Sequence, residues 1–171
     1  VEDVRPALPL VVVLCALPAA AAPGESSFAL VAAYTAVDDQ QTVAGRTVDT
    51  TGSGALAALE LAHAVTDSVW LRGGLGAGVA ALAGEARPVG VATAGITYTI
   101  DVLRYVPYVG LGGGVVLVNG HVGPALDLAV GIEVQESAGF GWGIEGRLEA
   151  FAGRQTVFFA GPRVAWKWGY F

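Results

Sequence analysis

The chain has 171 residues, of which 54% are hydrophobic and only 14% charged, whereas about a quarter of the residues in a soluble domain carry charge. Nine basic and fifteen acidic residues leave a formal net charge of −6 with no basic block, which argues against a nucleic-acid binder. One cysteine and two histidines rule out an intramolecular disulfide and a thiolate zinc site, and beyond the N-terminus no segment supplies the roughly 20 apolar residues of a spanning helix.

Residues Ala7 to Leu17 form an apolar run, ALPLVVVLCAL, followed by the small residues PAAAA and the polar GESS, which is the layout of a secretory signal. Ala19 and Ala21 place small residues at −3 and −1 of a cut after Ala21. The chain therefore divides into a signal peptide, 1–21, and one domain, 22–171. Cys15 follows Leu14, where a lipoprotein signal needs a small residue, and is expected to leave with the signal.

After Ser26 the sequence alternates with period two in stretches of about 10 residues separated by turn-type residues, a signature weak in each segment and cumulative over many. Eight such stretches occur, near 27–37, 54–64, 69–82, 89–100, 106–118, 124–134, 140–151 and 157–170. The first is apolar on both faces. In the second, Leu59 and Leu61 oppose Glu60; in the third, Val69, Leu71, Leu75 and Val79 oppose Trp70 and Arg72. The fourth sets Ile96, Tyr98 and Ile100 against Thr97 and Thr99. The fifth carries alternate glycines at Gly110, Gly112 and Gly114. The sixth opposes Leu126, Leu128, Val130 and Ile132 to Asp127 and Glu133, and the seventh opposes Trp142, Ile144 and Leu148 to Glu145, Arg147 and Glu149. In the eighth, Val164, Trp166, Trp168 and Tyr170 alternate with Arg163, Ala165 and Lys167.

One face is thus large and apolar while the other is small or charged, the reverse of a soluble sandwich, in which bulk points inward and polarity outward. The fold expected is all-β: a closed, eight-stranded, antiparallel, up-and-down transmembrane β-barrel. Its lumen would hold five acids, Glu60, Asp127, Glu133, Glu145 and Glu149, and four bases, Arg72, Arg147, Arg163 and Lys167. Ions so confined must pair, because an isolated buried charge is costly. Glu60 is expected to meet Arg72, and Glu145 with Arg147 to reach Arg163 or Lys167, forming a plug. Inward glycines leave room for these side chains, so charges and glycines, rather than a greasy lining, are expected along the axis. Tyr98, Tyr105, Tyr108, Phe140, Trp142, Trp166, Trp168 and Tyr170 are expected to form an interfacial girdle.

The stretches GLGAG and GLGGG begin like a dinucleotide fingerprint, but Val79 and Val115 stand where its third glycine belongs and no helix follows. No cofactor is implied. His63 falls on the lipid-facing parity beside the turn residues Asp67 and Ser68, and His121 lies in NGHVG, so no nucleophile–base pair is legible and no catalysis is expected.

The C-terminal stretch RVAWKWGYF resembles the assembly signal of Gram-negative outer-membrane barrels: Arg163 fits its polar position, Ala165 replaces the usual glycine, Trp168 and Tyr170 fit the aromatics, and Phe171 is the customary last residue. The segment YVPYVGLGGGV looks like a strand of small barrels of the OmpA and OmpX type, a likeness extending from about Phe28 to Phe171. The resemblance implies a bacterial outer-membrane protein, inserted into lipid by the barrel-assembly machinery after export to the periplasm. With both termini periplasmic, the outer loops would be 38–53, 83–88, 119–123 and 152–156, of which only the first is long. That loop, polar and rich in Thr and Gly, is the best place for contact with another molecule. The function expected is a structural or surface-interaction role without chemistry. The alternatives are a small ion or solute channel and a secreted soluble barrel of lipocalin type that binds an apolar ligand.

Overall fold

The computed structural model describes residues 24–43, 46–100, 104–137, 139–151 and 155–169, so the expected signal peptide, Tyr170 and Phe171 lie outside the described residues. Eight strands follow one another: β1 (Ser26–Val43), β2 (Arg46–Ala64), β3 (Val69–Leu82), β4 (Glu85–Thr99), β5 (Tyr105–Val118), β6 (His121–Ser137), β7 (Phe140–Phe151) and β8 (Gln155–Trp168). Each pairs antiparallel with the next, and β1 pairs with β8, closing the barrel. Closure gives every wall strand a partner on both sides, which a sheet surrounded by hydrocarbon requires.

The strand cores match the period-two stretches, and β3 and β7 coincide with them to the residue. At the end of the barrel opposite the chain termini, two connections are tight two-residue turns. Ala83 and Gly84 join β3 to β4 at φ 51° and 82°, and Asn119 and Gly120 join β5 to β6 at φ 51° and 83°. Both central residues are left-handed, the geometry whose twist matches that of the flanking strands.

The expected long first loop is instead regular strand. β1 runs on to Val43 and β2 starts at Arg46, with pairing maintained from Asp38 opposite Thr51 to Val43 opposite Arg46. Pairing of β1 with β8 stops at Asp39, and that of β2 with β3 stops at Gly52. A two-stranded ribbon therefore stands above the wall, its longer arm of residues 46–51 rising roughly 20 Å at about 3.3 Å per residue. Threonines account for the difference: Thr47, Thr50 and Thr51 are polar enough to read as loop, yet β-branched and well suited to a strand.

Candidate functional site in the lumen

All nine ionisable residues assigned to the inner face point inward, and they gather in the half of the barrel nearer the termini. Glu60 on β2 lies among three guanidinium groups. Arg147 contacts its Oε1, Arg163 Nε lies 3.3 Å from its Oε2, and Arg72 Nη1 is 3.9 Å from Oε1. Arg72 donates chiefly to Asp127, across the lumen rather than along the neighbouring strand. Arg163 also pairs with Glu133 and stands 3.6 Å from Glu145, while Arg147 Nε is 2.7 Å from Glu145 Oε1. Lys167 Nζ closes the terminal end at 2.8 Å from Glu133 and 5.9 Å from the Trp70 ring centre. Glu149 is the exception: among the described residues no cationic group forms an ion pair with it, and its register partner is Asp127.

Tyr108, expected at the interface, is instead an inner-face residue only 7% exposed. Its hydroxyl donates to Glu145 at 2.6 Å, and Arg163 lies 5.6 Å from its ring centre. Aromatic content and nearness to a strand end place it in a girdle; its parity, shared with Val106 and Gly110, places it inside. Parity decides, because in a strand a side chain's face is fixed by its position.

Several glycines leave room for this cluster. A methyl on Gly110 would meet the Arg72 guanidinium at 2.9 Å, and one on Gly141 would meet the Glu133 carboxylate at 2.7 Å. On Gly131 it would collide with the Tyr108 ring.

The half of the lumen away from the termini is different in kind. Val31, Val37, Leu56, Val89, Val116, Val157 and Phe159 pack there in one buried apolar cluster. An axis filled along its whole length by charge and glycine is therefore not what forms: charge fills one half and hydrocarbon the other. The apolar half comes from stretches that are apolar on both faces, such as Val115 to Val118 in β5, where alternation carries no signal. Above this layer Gln155 Nε2 donates to Asp39 Oδ1 at 3.0 Å.

On the outside, Leu75, Leu126, Val130 and Ile144 are each more than half exposed, part of a continuous belt of large apolar side chains. Around the terminal end the belt is edged by Tyr98, Tyr105, Trp142, Trp166 and Trp168, all outward and exposed, with Phe140 and Phe28 in ring contact with Trp166. Trp142 Nε1 donates to Glu136 at 3.1 Å, and Glu136 also pairs with Arg104. Of the residues matched to the assembly signal, Arg163 and Ala165 are buried inside and Trp168 faces out at the end of β8.

One contact was not legible from spacing: Ser26 and His63 are register partners on β1 and β2, and Ser26 Oγ lies 3.0 Å from His63 Nδ1. A serine and a histidine do meet, then, on the exposed outer wall at the terminal rim. They are 37 residues apart, so only the register of the sheet reveals the pair.

No protein-family model and no curated protein matches this sequence. Among solved structures, the chain is similar to Neisserial surface protein A, with a TM-score of 0.64 at 11% identity, covering 82% of this chain and 97% of that one. It is also similar to OprG of Pseudomonas aeruginosa, at a TM-score of 0.58 and 11% identity over 85% and 97% of the two chains. Ail of Yersinia pestis gives 0.57 and 13% over 85% and 99%. The fold is that of the small eight-stranded outer-membrane β-barrels.

Proposed function

We propose that the protein is an integral outer-membrane barrel with a structural or surface-interaction role, whose lumen is sealed in two layers, one of ion pairs and one of hydrocarbon. The observation that carries this reading is the division of the wall: large apolar side chains face out around a closed barrel, and the ionisable ones face in. Water would penalise the apolar outer face, and hydrocarbon would penalise the ionisable groups were they turned outward, so a bilayer is the solvent that suits both faces. The terminal end, edged by tryptophan and tyrosine, sits at the periplasmic interface, and the β1–β2 ribbon projects from the cell. Insertion is by the barrel-assembly machinery, with the C-terminal strand presenting the signal.

Among the described residues the ribbon reaches furthest beyond the wall, and it is the place for a surface contact. Thr47, Val48, Asp49 and Thr51 are exposed on it, and its two arms also carry Gln40, Gln41 and Arg46. One structure of Ail is in complex with a heparin analogue, sucrose octasulfate; the ribbon here, with Asp49 offsetting Arg46, carries no excess of positive charge for a polyanion. We read the Ser26–His63 contact as an interfacial hydrogen bond, since it is exposed on a convex wall, and the protein as non-catalytic. A channel is disfavoured by the apolar layer, which leaves ions no polar path along the axis.

Two measurements test the proposal together. The protein should require detergent for extraction and shift its gel mobility on heating, and in a planar bilayer it should show no steady conductance. Extraction without detergent would overturn the location, and a steady current the sealed lumen.

A further inference from the structure

Asp127 on β6 and Glu149 on β7 stand directly opposite each other across the strand pair, both with 0% of their surface exposed. Register partners on adjacent antiparallel strands bring their Cβ atoms to about 4.5–5.5 Å, close enough for two carboxyl groups to share a hydrogen bond. Two carboxylates are acceptors only, so a hydrogen bond between them requires one to carry a proton. Arg72 takes Asp127 Oδ2, which leaves Asp127 Oδ1 and both oxygens of Glu149 without any other hydrogen-bond partner. A second, independent observation is the charge balance of the lumen. In its charged half five acids face four bases, so one negative charge is left over in a space where an unpaired charge is costly.

We propose that Asp127 and Glu149 share a single proton, which makes the pair a proton-binding site at the boundary between the charged and the apolar halves of the lumen. The charged groups around it are Arg72 from β3, Arg147 and Glu145 from β7, and, beyond the two arginines, Glu60 from β2. On the flanking strands the register partners are neutral: Gly112 on β5 opposite Asp127, and Val157 on β8 opposite Glu149. Arg72 pairs with Asp127 and Arg147 with Glu60 and Glu145, so Arg147 acts on Glu149 as a nearby charge and forms no ion pair with it. The shared proton completes the neutralisation. Its loss would put two buried like charges face to face beneath the hydrocarbon layer, so the site contributes stability while it is occupied and withdraws it as pH rises through its titration.

The test uses the full-length barrel in detergent micelles, with thermal unfolding followed by circular dichroism from mildly acidic to alkaline pH. The wild-type midpoint should fall by several degrees as pH rises. Glu149→Gln keeps the volume and supplies a permanent N–H donor to Asp127, and should flatten that slope; Asp127→Asn should flatten it too. The infrared spectrum of the wild type at neutral pH should show a protonated-carboxyl carbonyl band that Glu149→Gln lacks, a readout that does not depend on a variant's stability. An unchanged pH slope in both variants, absence of that band, or a stabilisation that follows sodium concentration instead of pH would each overturn the proposal.

Discussion

The guanidinium of Arg147 stands 5.7 Å from the centre of the Phe159 ring, and the two residues are register partners on β7 and β8. This is where the charged half of the lumen meets the apolar half. A ring face accepts a cation on one side while its edge packs into hydrocarbon, so an aromatic suits this boundary better than an aliphatic residue would. Phe159 is fully buried, and its truncation would leave a hole that the wall, held by its ladders, cannot collapse to fill. Phe159→Ala is expected to cost about 3–5 kcal/mol in denaturant unfolding of the micelle-bound barrel. Phe159→Leu should recover most of the loss, and a cost below that of an exposed control such as Leu126→Ala would show that the layer is not packed.

Glu60 is the hub of the ionic half, because it alone touches Arg72, Arg147 and Arg163. Glu60→Gln removes a charge without changing shape and leaves three guanidinium groups to share fewer carboxylates. Breaking one side of a buried pair costs about 3–5 kcal/mol, more than the pair itself contributes, since the remaining charge is left desolvated. The expected result is a loss of that order in unfolding free energy, against near neutrality for Glu85→Gln, whose pairing with Arg87 is exposed.

What the sequence makes legible is set by contrast between neighbouring positions. Glu145, Arg147 and Glu149 alternate with Trp142, Ile144 and Leu148, so the seventh strand reveals both its bounds and its inward face. β1 gives no such signal: Val31 and Val37 go inside and Leu30 and Tyr34 outside, though all four are apolar or aromatic. Closure fixes that choice, through pairing with β2 and β8 at once. Pairings across the lumen are hidden for a related reason. Arg72 and Asp127 are 55 residues apart on strands that are not neighbours, and only the diameter of the barrel brings them together.

Gly131 and Gly146 offer a controlled comparison on neighbouring strands. A methyl on Gly131 would collide with the Tyr108 ring and lie 2.8 Å from the Ile144 carbonyl oxygen, so Tyr108 would have to release Glu145. On Gly146 the nearest atom is 3.9 Å away, on Phe158. Gly131→Ala should therefore destabilise by about 1–3 kcal/mol, as overpacking does. Gly146→Ala should be neutral or stabilising by up to about 1 kcal/mol, since alanine loses less chain entropy in a strand. Equal effects in urea unfolding would mean that the room beside Tyr108 is not needed.

The two tight turns at the far end differ in one residue. Asn119 and Ala83 both sit at φ 51°, each followed by a glycine. Asparagine tolerates the left-handed region, whereas for alanine the Cβ approaches the carbonyl oxygen at a cost of roughly 1–2 kcal/mol. The β3–β4 hairpin thus carries strain that the β5–β6 hairpin avoids. Ala83→Asn should stabilise the barrel by about 1 kcal/mol and Asn119→Ala should weaken it by about as much. Both turns lie outside the packed lumen, so the two substitutions combined should cancel to within a few tenths of a kcal/mol. Unfolding of the three variants in one detergent checks this, and a destabilising Ala83→Asn would show that the β3–β4 turn is not held in the left-handed geometry.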